Sequence, residues 1–429
     1  MKLLKPLSGL SFAIYGLGLS GNSVLKYLKK NKVKEKNIYC WDDELKKKFN
    51  KKKFNKSLDF VNYIVVSPGV DIKKSIFKTK LQHNKNKIIT DLDLFFMQNL
   101  NVKSIVITGT NGKSTTCKLL EHILKVNKFS VKLGGNIGKP ILDLLVKKNS
   151  FVVIEASSFQ LAYSKYIKPN YAAILNITKD HLDWHRSLKN YISSKFNIFK
   201  LQKSSDKAFL NEKKLINVFF KKKFKSRLIK LDKISKNKIL ISKINNSYLT
   251  TRPNIENLNF AYNISKYLKI NKNNFIKAIN SFKGLPHRHE LIYESKNLTI
   301  INDSKATSFD ATKFALEKNK NIYWIVGGLP KLGDKFNLGK IKKNINKAYI
   351  IGKSLNYFSD QLNGKVIFEK VYTLKKAIIK ILKDLKYSDL KPTILLSPAS
   401  ASYDQFNNFA HRGNEFKKLI KSYGRKFNS

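Results

Sequence analysis

Ile-Val-Ile-Thr-Gly-Thr-Asn-Gly-Lys-Ser-Thr-Thr, residues 105–116, is the stretch that decides the fold. An apolar strand enters a glycine loop, and Lys113 and Ser114 then open an amphipathic helical run over residues 117–126. The two glycines let backbone N–H groups face phosphate oxygens, and the helix N-terminus adds partial positive charge. The lysine reaches the β- and γ-phosphates, and a hydroxyl can bind Mg²⁺. We therefore expect a site for ATP or GTP.

This loop departs from the general P-loop spacing, because Ile107 stands where the first glycine belongs. A Gly-Lys-Ser tripeptide alone is a weak signal, and an ordinary strand–turn–helix corner is the alternative interpretation. The apolar strand before the loop and the helical periodicity after it favour phosphate binding.

The composition indicates a folded, multidomain chain. Its 429 residues, 42% hydrophobic, suggest roughly three domains. Lys and Arg outnumber Asp and Glu by 84 to 29, giving a net charge of +55. The lysines are spread along the chain together with many Asn and Ile residues, which favours compositional drift in an AT-rich genome over a nucleic-acid-binding surface. We predict no nucleic-acid partner.

Two cysteines give no disulfide framework, which fits a reducing compartment. The first twenty residues resemble a signal peptide, but glycines interrupt the apolar stretch and no A-x-A cleavage site follows. No apolar run approaches the ~18 residues of a membrane span. We expect a cytoplasmic protein, without membrane insertion, that acts as a monomer.

A second glycine turn lies near the N-terminus. The strand at residues 12–15 runs into Gly16-Leu17-Gly18-Leu19-Ser20-Gly21, and Asp42 follows about 20 residues later, after a second strand. This G-x-G-x-x-G pattern is typical of a dinucleotide site, although any nucleoside diphosphate can use the same helix N-terminus. The alternative interpretation is a close-packed turn that binds no ligand.

Polar residues also follow strands in the middle of the chain. Glu155 comes after the strand at 151–154, and His181 follows the strand at 171–175. Ligands of open α/β sheets collect at the carboxyl ends of strands, so these residues favour a metal–phosphate site beside the glycine loop.

A further α/β unit begins near residue 284, where Gly-Leu-Pro is the predicted hinge. Its strands are followed by polar loops at 302–307, 327–331 and 397–402. The chain is therefore predicted to be α/β with three domains: a Rossmann-like unit at 1–91, a P-loop ATPase sheet at 92–283 and a second Rossmann-like unit at 284–429.

The chain contains a series of specific strings, which are in chain order Gly109-Thr110-Asn111-Gly112-Lys113-Ser114-Thr115, Glu155-Ala156-Ser157-Ser158-Phe159-Gln160-Leu161, His181-Leu182-Asp183-Trp184-His185, Asn302-Asp303-Ser304-Lys305-Ala306-Thr307, and Ser397-Pro398-Ala399 followed by Ser402, Asp404-Gln405-Phe406 and Arg412-Gly413. Through these strings, and over essentially its whole length, the chain resembles the Mur ligases of peptidoglycan synthesis.

The resemblance is strongest to the members that join D-glutamate to UDP-N-acetylmuramoyl-L-alanine, and it implies an ATP-dependent ligase. ATP phosphorylates the substrate carboxylate, and the amino group of the amino acid attacks the acyl phosphate to give an amide, ADP and phosphate. Catalysis of this kind depends on cations and positioning. The implied cofactors are ATP, two Mg²⁺ ions and a carbamylated lysine.

The resemblance also assigns roles to individual residues. The implied catalytic residues are Lys113, Glu155, His181, Lys195 and Lys305. Metal binding falls to Ser114, Glu155, His181 and Lys195 as its carbamate. ATP binding falls to Gly109, Thr110, Asn111, Gly112, Lys113, Ser114, Thr115, Asn257, Arg288 and Asp303. The UDP substrate is assigned to Gly16, Leu17, Gly18, Leu19, Ser20, Asp42, Ser67, Pro68, Gly69 and Asn136. D-glutamate is assigned to Thr307, Lys331, Ser402 and Phe409, although Phe409 could equally be a core residue.

One string departs from the family. Pro253 occupies the position where the family usually has a histidine, ahead of Asn254 and Asn257. Three other functions remain in competition. A related ligase could add a different amino acid or act on a folate; an NAD-dependent dehydrogenase would explain only the first glycine turn; and a nucleic-acid-binding protein would explain only the charge.

Overall fold

The computed structural model describes residues 6–99, 102–246, 248–331, 333–385 and 390–423. These residues form three sheets with helices between their strands. By its internal contacts the chain divides into two compact units, residues 1–283 and 284–429. The first unit holds two of the sheets and the second holds the third. The predicted α/β class with three sheets is confirmed.

The first sheet has four parallel strands in the order β2-β1-β3-β4. Since β1 lies between β2 and β3, its carboxyl end is a topological switch point, where ligands of open sheets bind. The elements of this region are β1 (Phe12–Tyr15), α1 (Leu19–Lys30), β2 (Ile38–Trp41), α2 (Lys51–Phe60), β3 (Tyr63–Val66), α3 (Lys78–His83), β4 (Ile88–Ile89) and α4 (Asp91–Gln98).

The central sheet has six parallel strands in the order β10-β9-β8-β5-β7-β6. Its switch point is the end of β5, between β7 and β8. The elements are β5 (Lys103–Thr108), α5 (Lys113–Val126), β6 (Val131–Gly135), β7 (Phe151–Glu155), α6 (Ser158–Tyr163), β8 (Tyr171–Ile174), α7 (Leu182–His185), α8 (Leu188–Phe196), β9 (Lys207–Leu210), α9 (Lys213–Lys221), β10 (Arg227–Lys230), α10 (Lys238–Ser242), α11 (Arg252–Tyr267) and α12 (Lys272–Asn280).

One apolar cluster runs through both sheets of the first unit. Val24 and Leu28 of α1 and Phe95 of α4 belong to the same buried cluster as Val106 of β5 and Ile154 of β7. A continuous core holds neighbouring sheets as one folding unit. The predicted boundary at residue 91 falls between β4 and the start of α4, and it stays a prediction.

The second unit contains a six-stranded sheet in the order β11-β12-β16-β13-β14-β15. Only the edge strand β11 is antiparallel among these described strands. Both faces of the sheet carry apolar clusters. The elements are β11 (Glu290–Glu294), β12 (Thr299–Asn302), α13 (Phe309–Lys318), β13 (Ile322–Gly327), β14 (Ile345–Ile351), α14 (Leu355–Leu362), β15 (Phe368–Tyr372), α15 (Leu374–Leu385), β16 (Thr393–Leu396) and α16 (Phe409–Tyr423).

The predicted strands agree with the observed ones to within one or two residues at their ends, the level at which strand limits are usually defined. The predicted amphipathic run at 117–126 is the body of α5, which begins at Lys113. None of the described helices is long and apolar enough to cross a membrane.

Candidate active site

The first glycine turn connects β1 to α1 through a close approach of backbone to backbone. A Cβ atom on Gly21 would lie 1.8 Å from the carbonyl oxygen of Gly16, so only glycine fits there. The carboxylate of Asp42 accepts the N–H of Leu17 at 2.6 Å. Burial alone would raise the pKa of Asp42, but three backbone N–H donors outweigh it and lower that pKa below its ordinary value. The acid thus organises the turn from the end of β2.

A cavity of about 620 Å³ opens at this turn. Nine of the ten residues predicted for the UDP substrate line it, and the tenth, Leu17, is buried behind the turn with its N–H bound to Asp42. The nine are Gly16, Gly18, Leu19, Ser20, Asp42, Ser67, Pro68, Gly69 and Asn136. Asn136 belongs to the central region, so both parts of the first unit build this cavity.

The sequence did not point to several other residues of the cavity wall. The Tyr15 hydroxyl bonds with the carboxylate of Asp43 at 2.6 Å and with the Ser75 hydroxyl at 2.8 Å, and Lys74 also lines the cavity. Burial and the Asp43 carboxylate raise the pKa of Tyr15. Tyr15 resembled the last residue of an apolar strand, and Lys74 was one lysine among many, so neither gave a usable signal.

The second glycine turn carries the P-loop lysine. The Lys113 ammonium donates to the carbonyl oxygens of Gly109 at 2.9 Å and Thr110 at 2.8 Å. The loop after β8 supports the turn, because the Asn111 N–H donates to Asn176 Oδ1 at 2.9 Å. Ser114 is half-buried at the start of α5. The predicted phosphate-binding residues 109–115 therefore form one continuous turn and first helical residues.

Asn257, predicted to contact adenine, packs against this turn. Its side chain is 4% exposed, and its Oδ1 accepts the Thr116 hydroxyl at 3.2 Å. Gly112 has a φ of 83°, and a Cβ there would lie 2.1 Å from Asn257 Oδ1. Asn257 supports the phosphate loop, and its contact with adenine stays a prediction.

Glu155 ends β7 with its side chain buried at 2% exposure. Asn136 fixes it twice: Nδ2 donates to Oε1 of Glu155 at 2.7 Å, and the Asn136 N–H donates to the Glu155 carbonyl at 2.8 Å. The second carboxylate oxygen, Oε2, is buried and bonds to none of the described residues. A buried oxygen of this kind normally has a partner, so it is a fitting ligand for a cation.

Lys195 of α8 is fully buried beside the P-loop. Its ammonium donates to the Gly109 carbonyl at 2.8 Å and lies 4.6 Å from the centre of the Tyr191 ring. Burial, and then repulsion from Lys113, lower the pKa of Lys195 to about 7. A large share of this amine is therefore uncharged at neutral pH, unlike an exposed lysine.

His181 has left-handed backbone geometry, with a φ of 50°, just before α7. Its Nε2 lies 3.4 Å from the Asp180 carboxylate, and its ring packs on Phe159 with centroids 4.7 Å apart. The side chain is half-exposed, and burial lowers its pKa below the ordinary value. A lowered pKa favours the neutral imidazole, the form that binds a metal.

Among the described residues, no three His, Cys, Asp or Glu side chains group as a ready-made metal site. Mg²⁺ commonly takes one or two protein ligands together with substrate phosphates and water. The orphan oxygen of Glu155, beside the P-loop, fits that mode of binding.

In the second unit, the three predicted loops follow β12, β13 and β16, which are neighbours in the sheet, so they meet at one edge. Two of the loops are joined where the Leu329 N–H donates to the Ala401 carbonyl at 2.9 Å. The Lys305 ammonium lies 3.7 Å from the centre of the Phe409 ring. Phe409 is half-buried, so it is not purely a core residue.

Asp303 is buried, accepts the Ser397 hydroxyl at 2.7 Å, and has its pKa raised to about 7 by burial. The side chains of Thr307 and Lys331 are exposed, Arg288 is half-buried, and Ser402 is buried. Their assignments to ATP and D-glutamate stay predictions.

A lysine-bearing glycine loop at the switch point of a parallel sheet, beside a buried carboxylate with an open oxygen, defines a nucleotide-binding α/β protein of the P-loop type. Comparison with known sequences makes this specific. Residues 107–281 match the family described as Mur ligase middle domain. A UDP-N-acetylmuramoylalanine--D-glutamate ligase of Rickettsia prowazekii (strain Madrid E) is 35% identical, with 96% of this chain and 97% of that protein covered.

The ligase of the same name from Wolbachia sp. subsp. Brugia malayi (strain TRS) is 34% identical, with 96% of each chain covered. The chain belongs to the Mur ligase family, as predicted. Its fold is also similar to that of the MurF ligase of Thermotoga maritima, solved in complex with ADP, at a TM-score of 0.55 and 16% identity. That likeness covers 98% of this chain and 100% of the other.

Proposed function

We propose that this protein is an ATP-dependent ligase that joins D-glutamate to UDP-N-acetylmuramoyl-L-alanine in the cytoplasm, as a step of peptidoglycan precursor synthesis. One observation carries the proposal: Asn136 lines the nucleotide cavity and also holds Glu155 of the phosphate site through a 2.7 Å hydrogen bond. A substrate in the cavity and a phosphoryl group on the P-loop would therefore lie on two sides of the same residue pair.

The reaction has two chemical steps. An oxygen of the substrate carboxylate bonds to the γ-phosphorus of ATP, ADP leaves, and an acyl phosphate results. The amino group of D-glutamate then attacks the acyl carbon, phosphate leaves, the nitrogen loses a proton, and an amide is formed. Negative charge builds up on the transferring phosphoryl group, so preorganised cations are the main catalytic requirement. Lys113 and the N–H groups of the P-loop meet that requirement.

Glu155, Ser114 and His181 would hold two Mg²⁺ ions. The buried Oε2 of Glu155, which bonds to none of the described residues, and the lowered pKa of His181 support this assignment. When bound, Mg²⁺ neutralises phosphate charge and polarises the phosphoryl group.

Lys195 is proposed to carry a carbamate. The uncharged amine attacks CO₂, a nitrogen–carbon bond forms, and one proton is released. A pKa of about 7 supports this step, because it leaves much of the amine unprotonated at neutral pH. The change from cation to anion would turn a group that repels Mg²⁺ into one that can approach it.

The cavity at the first glycine turn would take the UDP portion of the substrate. Its lining residues supply N–H groups at the start of α1 for the diphosphate. Arg288 and Asp303 would bind ATP, and Lys305 would act in catalysis. Thr307, Lys331, Ser402 and Phe409 would bind D-glutamate, whose two carboxylates need hydroxyl donors and a cation.

The test is phosphate release by the purified protein with ATP, Mg²⁺ and UDP-N-acetylmuramoyl-L-alanine, with D-glutamate, L-glutamate, L-lysine and diaminopimelate offered separately. Release with D-glutamate alone supports the proposal. Release with another amino acid keeps the ligase chemistry and changes the substrate. No release with any of them contradicts the proposal. Reactions without the UDP substrate correct for background hydrolysis of ATP.

A further inference from the structure

The first turn of α4 lies between the nucleotide cavity and the phosphate site. Asp91, its first residue, is 3% exposed, and both of its carboxylate oxygens accept from Gln160 Nε2, at 3.1 and 3.3 Å. The side chain of Ser20, a residue of the cavity wall, interacts with the same carboxylate. Asp91 itself does not line the cavity. It therefore contacts the start of α1 from one side and α6 from the other.

Gln160 also contacts a residue that lies close to Glu155 in the chain. Its Oε1 accepts from the N–H of Ser157 at 3.1 Å and from the Ser157 hydroxyl at 3.0 Å. Ser157 is the N-cap residue of α6 and lies two residues after Glu155. Because the Gln160 amide donates to Asp91 and accepts from Ser157, its orientation is fixed. A continuous chain of polar contacts thus runs from Ser20 to the residues that follow the predicted metal ligand.

A second buried acid on the first turn of α4 has different hydrogen-bond partners. Asp93 is fully buried, and its Oδ1 accepts from the N–H groups of Lys165 at 2.8 Å and Tyr166 at 2.7 Å. Thr90 adds a hydroxyl contact to Ser164 at 2.7 Å. These bonds attach α4 to the segment after α6, and their partners are not among the predicted site residues. If the Asp91 side chain were removed, the contacts of Asp93 and Thr90 would still connect α4 to this segment.

We propose that Asp91 is a positioning residue. It holds the glycine turn at the start of α1 in a fixed position relative to Glu155, at the end of β7 in the central sheet. The proposal rests on the proposed function, because the two sites must face each other for a phosphoryl group to reach the substrate carboxylate. Small errors in such alignment lower the rate of the chemical step, while each ligand can still bind to its own site.

The test compares Asp91→Ala with Asp93→Ala, a matched loss of a buried acid from the same turn. For Asp91→Ala we expect kcat to fall about tenfold or more, since misplacement of about 1 Å can reduce a rate about 100-fold. The Kd values for UDP-N-acetylmuramoyl-L-alanine and for MgATP, each measured alone by calorimetry, should change less than threefold. Asp93→Ala should lower the melting temperature and leave kcat per folded molecule unchanged.

Asp91→Asn should restore most of the rate, because one amide oxygen still accepts from Gln160. If Asp91→Ala folds poorly, Gln160→Met breaks the same contact from the other side and should reproduce the loss of kcat. The double variant should lose no more than either single one, as expected for partners in one contact.

A loss of stability with unchanged kcat, or a raised Kd for the UDP substrate with unchanged kcat, would overturn the proposal. Additive losses in the double variant would do the same. The activity of the wild-type protein tests the proposed function, and the ratio of the variant kcat to the wild-type kcat tests the role of Asp91. The two proposals can therefore fail separately.

Discussion

The glycine turns after β1 and β5 share one backbone plan and differ in the charged groups around them. Each ends a strand at the switch point of a parallel sheet and opens a helix. The first turn is organised by an acid, Asp42, which accepts the Leu17 N–H. The second is organised by a cation, Lys113, which donates to the loop's own carbonyl oxygens, with Lys195 behind it.

This difference shows that the fold supplies the place and the neighbouring loops supply the chemistry. The first turn has no lysine of its own and offers N–H groups at the start of α1, which suits a nucleoside diphosphate that is bound without reaction. The second turn lies beside the amines of Lys113 and Lys195 and the buried Oε2 of Glu155. This arrangement suits a phosphoryl group whose negative charge must be neutralised.

The largest effect should come from Lys113→Met. Removal of the ammonium takes away transition-state charge stabilisation, and we expect kcat/KM for ATP to fall by about 100-fold or more. Binding of the UDP substrate at the first turn should be unaffected in calorimetry. Lys118→Met is the control, because Lys118 lies on the same helix and pairs with Glu121 at the surface. Equal losses of ATP use and UDP-substrate binding would show that the turns do not act separately.

Gly21→Ala tests the first turn in the same way. The new methyl group would lie 1.8 Å from the Gly16 carbonyl, so α1 must move. Overpacking costs about 1–3 kcal/mol, which corresponds to roughly five- to 150-fold in Kd for the UDP substrate. Gly9→Ala, where nothing lies within 4 Å of the new atom, is the control. Calorimetry with MgATP should show unchanged affinity; a loss there would argue against separate turns.

The next prediction concerns the pH dependence of Lys195. Since its pKa is lowered to about 7, the neutral amine becomes more abundant as the pH rises through 7. Between pH 6 and 8 the uncharged fraction should rise from about 10% to about 90%. At a fixed concentration of dissolved ¹³CO₂, a carbamate signal in ¹³C NMR should increase accordingly and be absent from Lys195→Met. A signal that appears only above pH 9 would contradict a lowered pKa.

The smallest effect is expected from Asp42→Asn. The amide oxygen can still accept the Leu17 N–H, but the amide nitrogen cannot accept the N–H groups of Glu44 and Leu45, and the charge is lost. We expect a weakening of about 1 kcal/mol and so a rise of about fivefold in Kd for the UDP substrate. Because the wild-type pKa lies below the ordinary value for aspartate, the carboxylate stays charged from pH 5 to 8 and affinity should be flat over that range. Asp59→Asn, which alters a surface pair with Lys80, is the control.

Local sequence patterns predicted both turns because each needs only a strand, a few glycines and a helix start in consecutive positions. Glu155 was also predictable, since it directly follows an apolar strand. Lys195 was singled out only by family resemblance. Among 84 basic residues nothing local marks a lysine that will be buried, and its burial depends on how α8 packs on the P-loop.

Contacts between distant segments could not be predicted from the sequence. The bond between Asn136 and Glu155 joins the ends of two neighbouring strands, and the contact of Asp91 with Gln160 joins residues 69 positions apart. The sequence also did not reveal that the first two sheets share one apolar core. Periodicity reveals which face of a helix is apolar, but it does not reveal the partner on which that face packs.

The hydrogen bonds of Lys113 to Gly109 and Thr110 affect the entropy change and the rate of nucleotide binding. A free lysine side chain has about 2 kcal/mol of rotamer entropy to lose. Here the side chain is already ordered by its own loop, so much of that loss occurs when the protein folds. ATP should therefore bind to a loop of fixed shape in a single fast phase, with the phosphate oxygens joining an ammonium that is already in place.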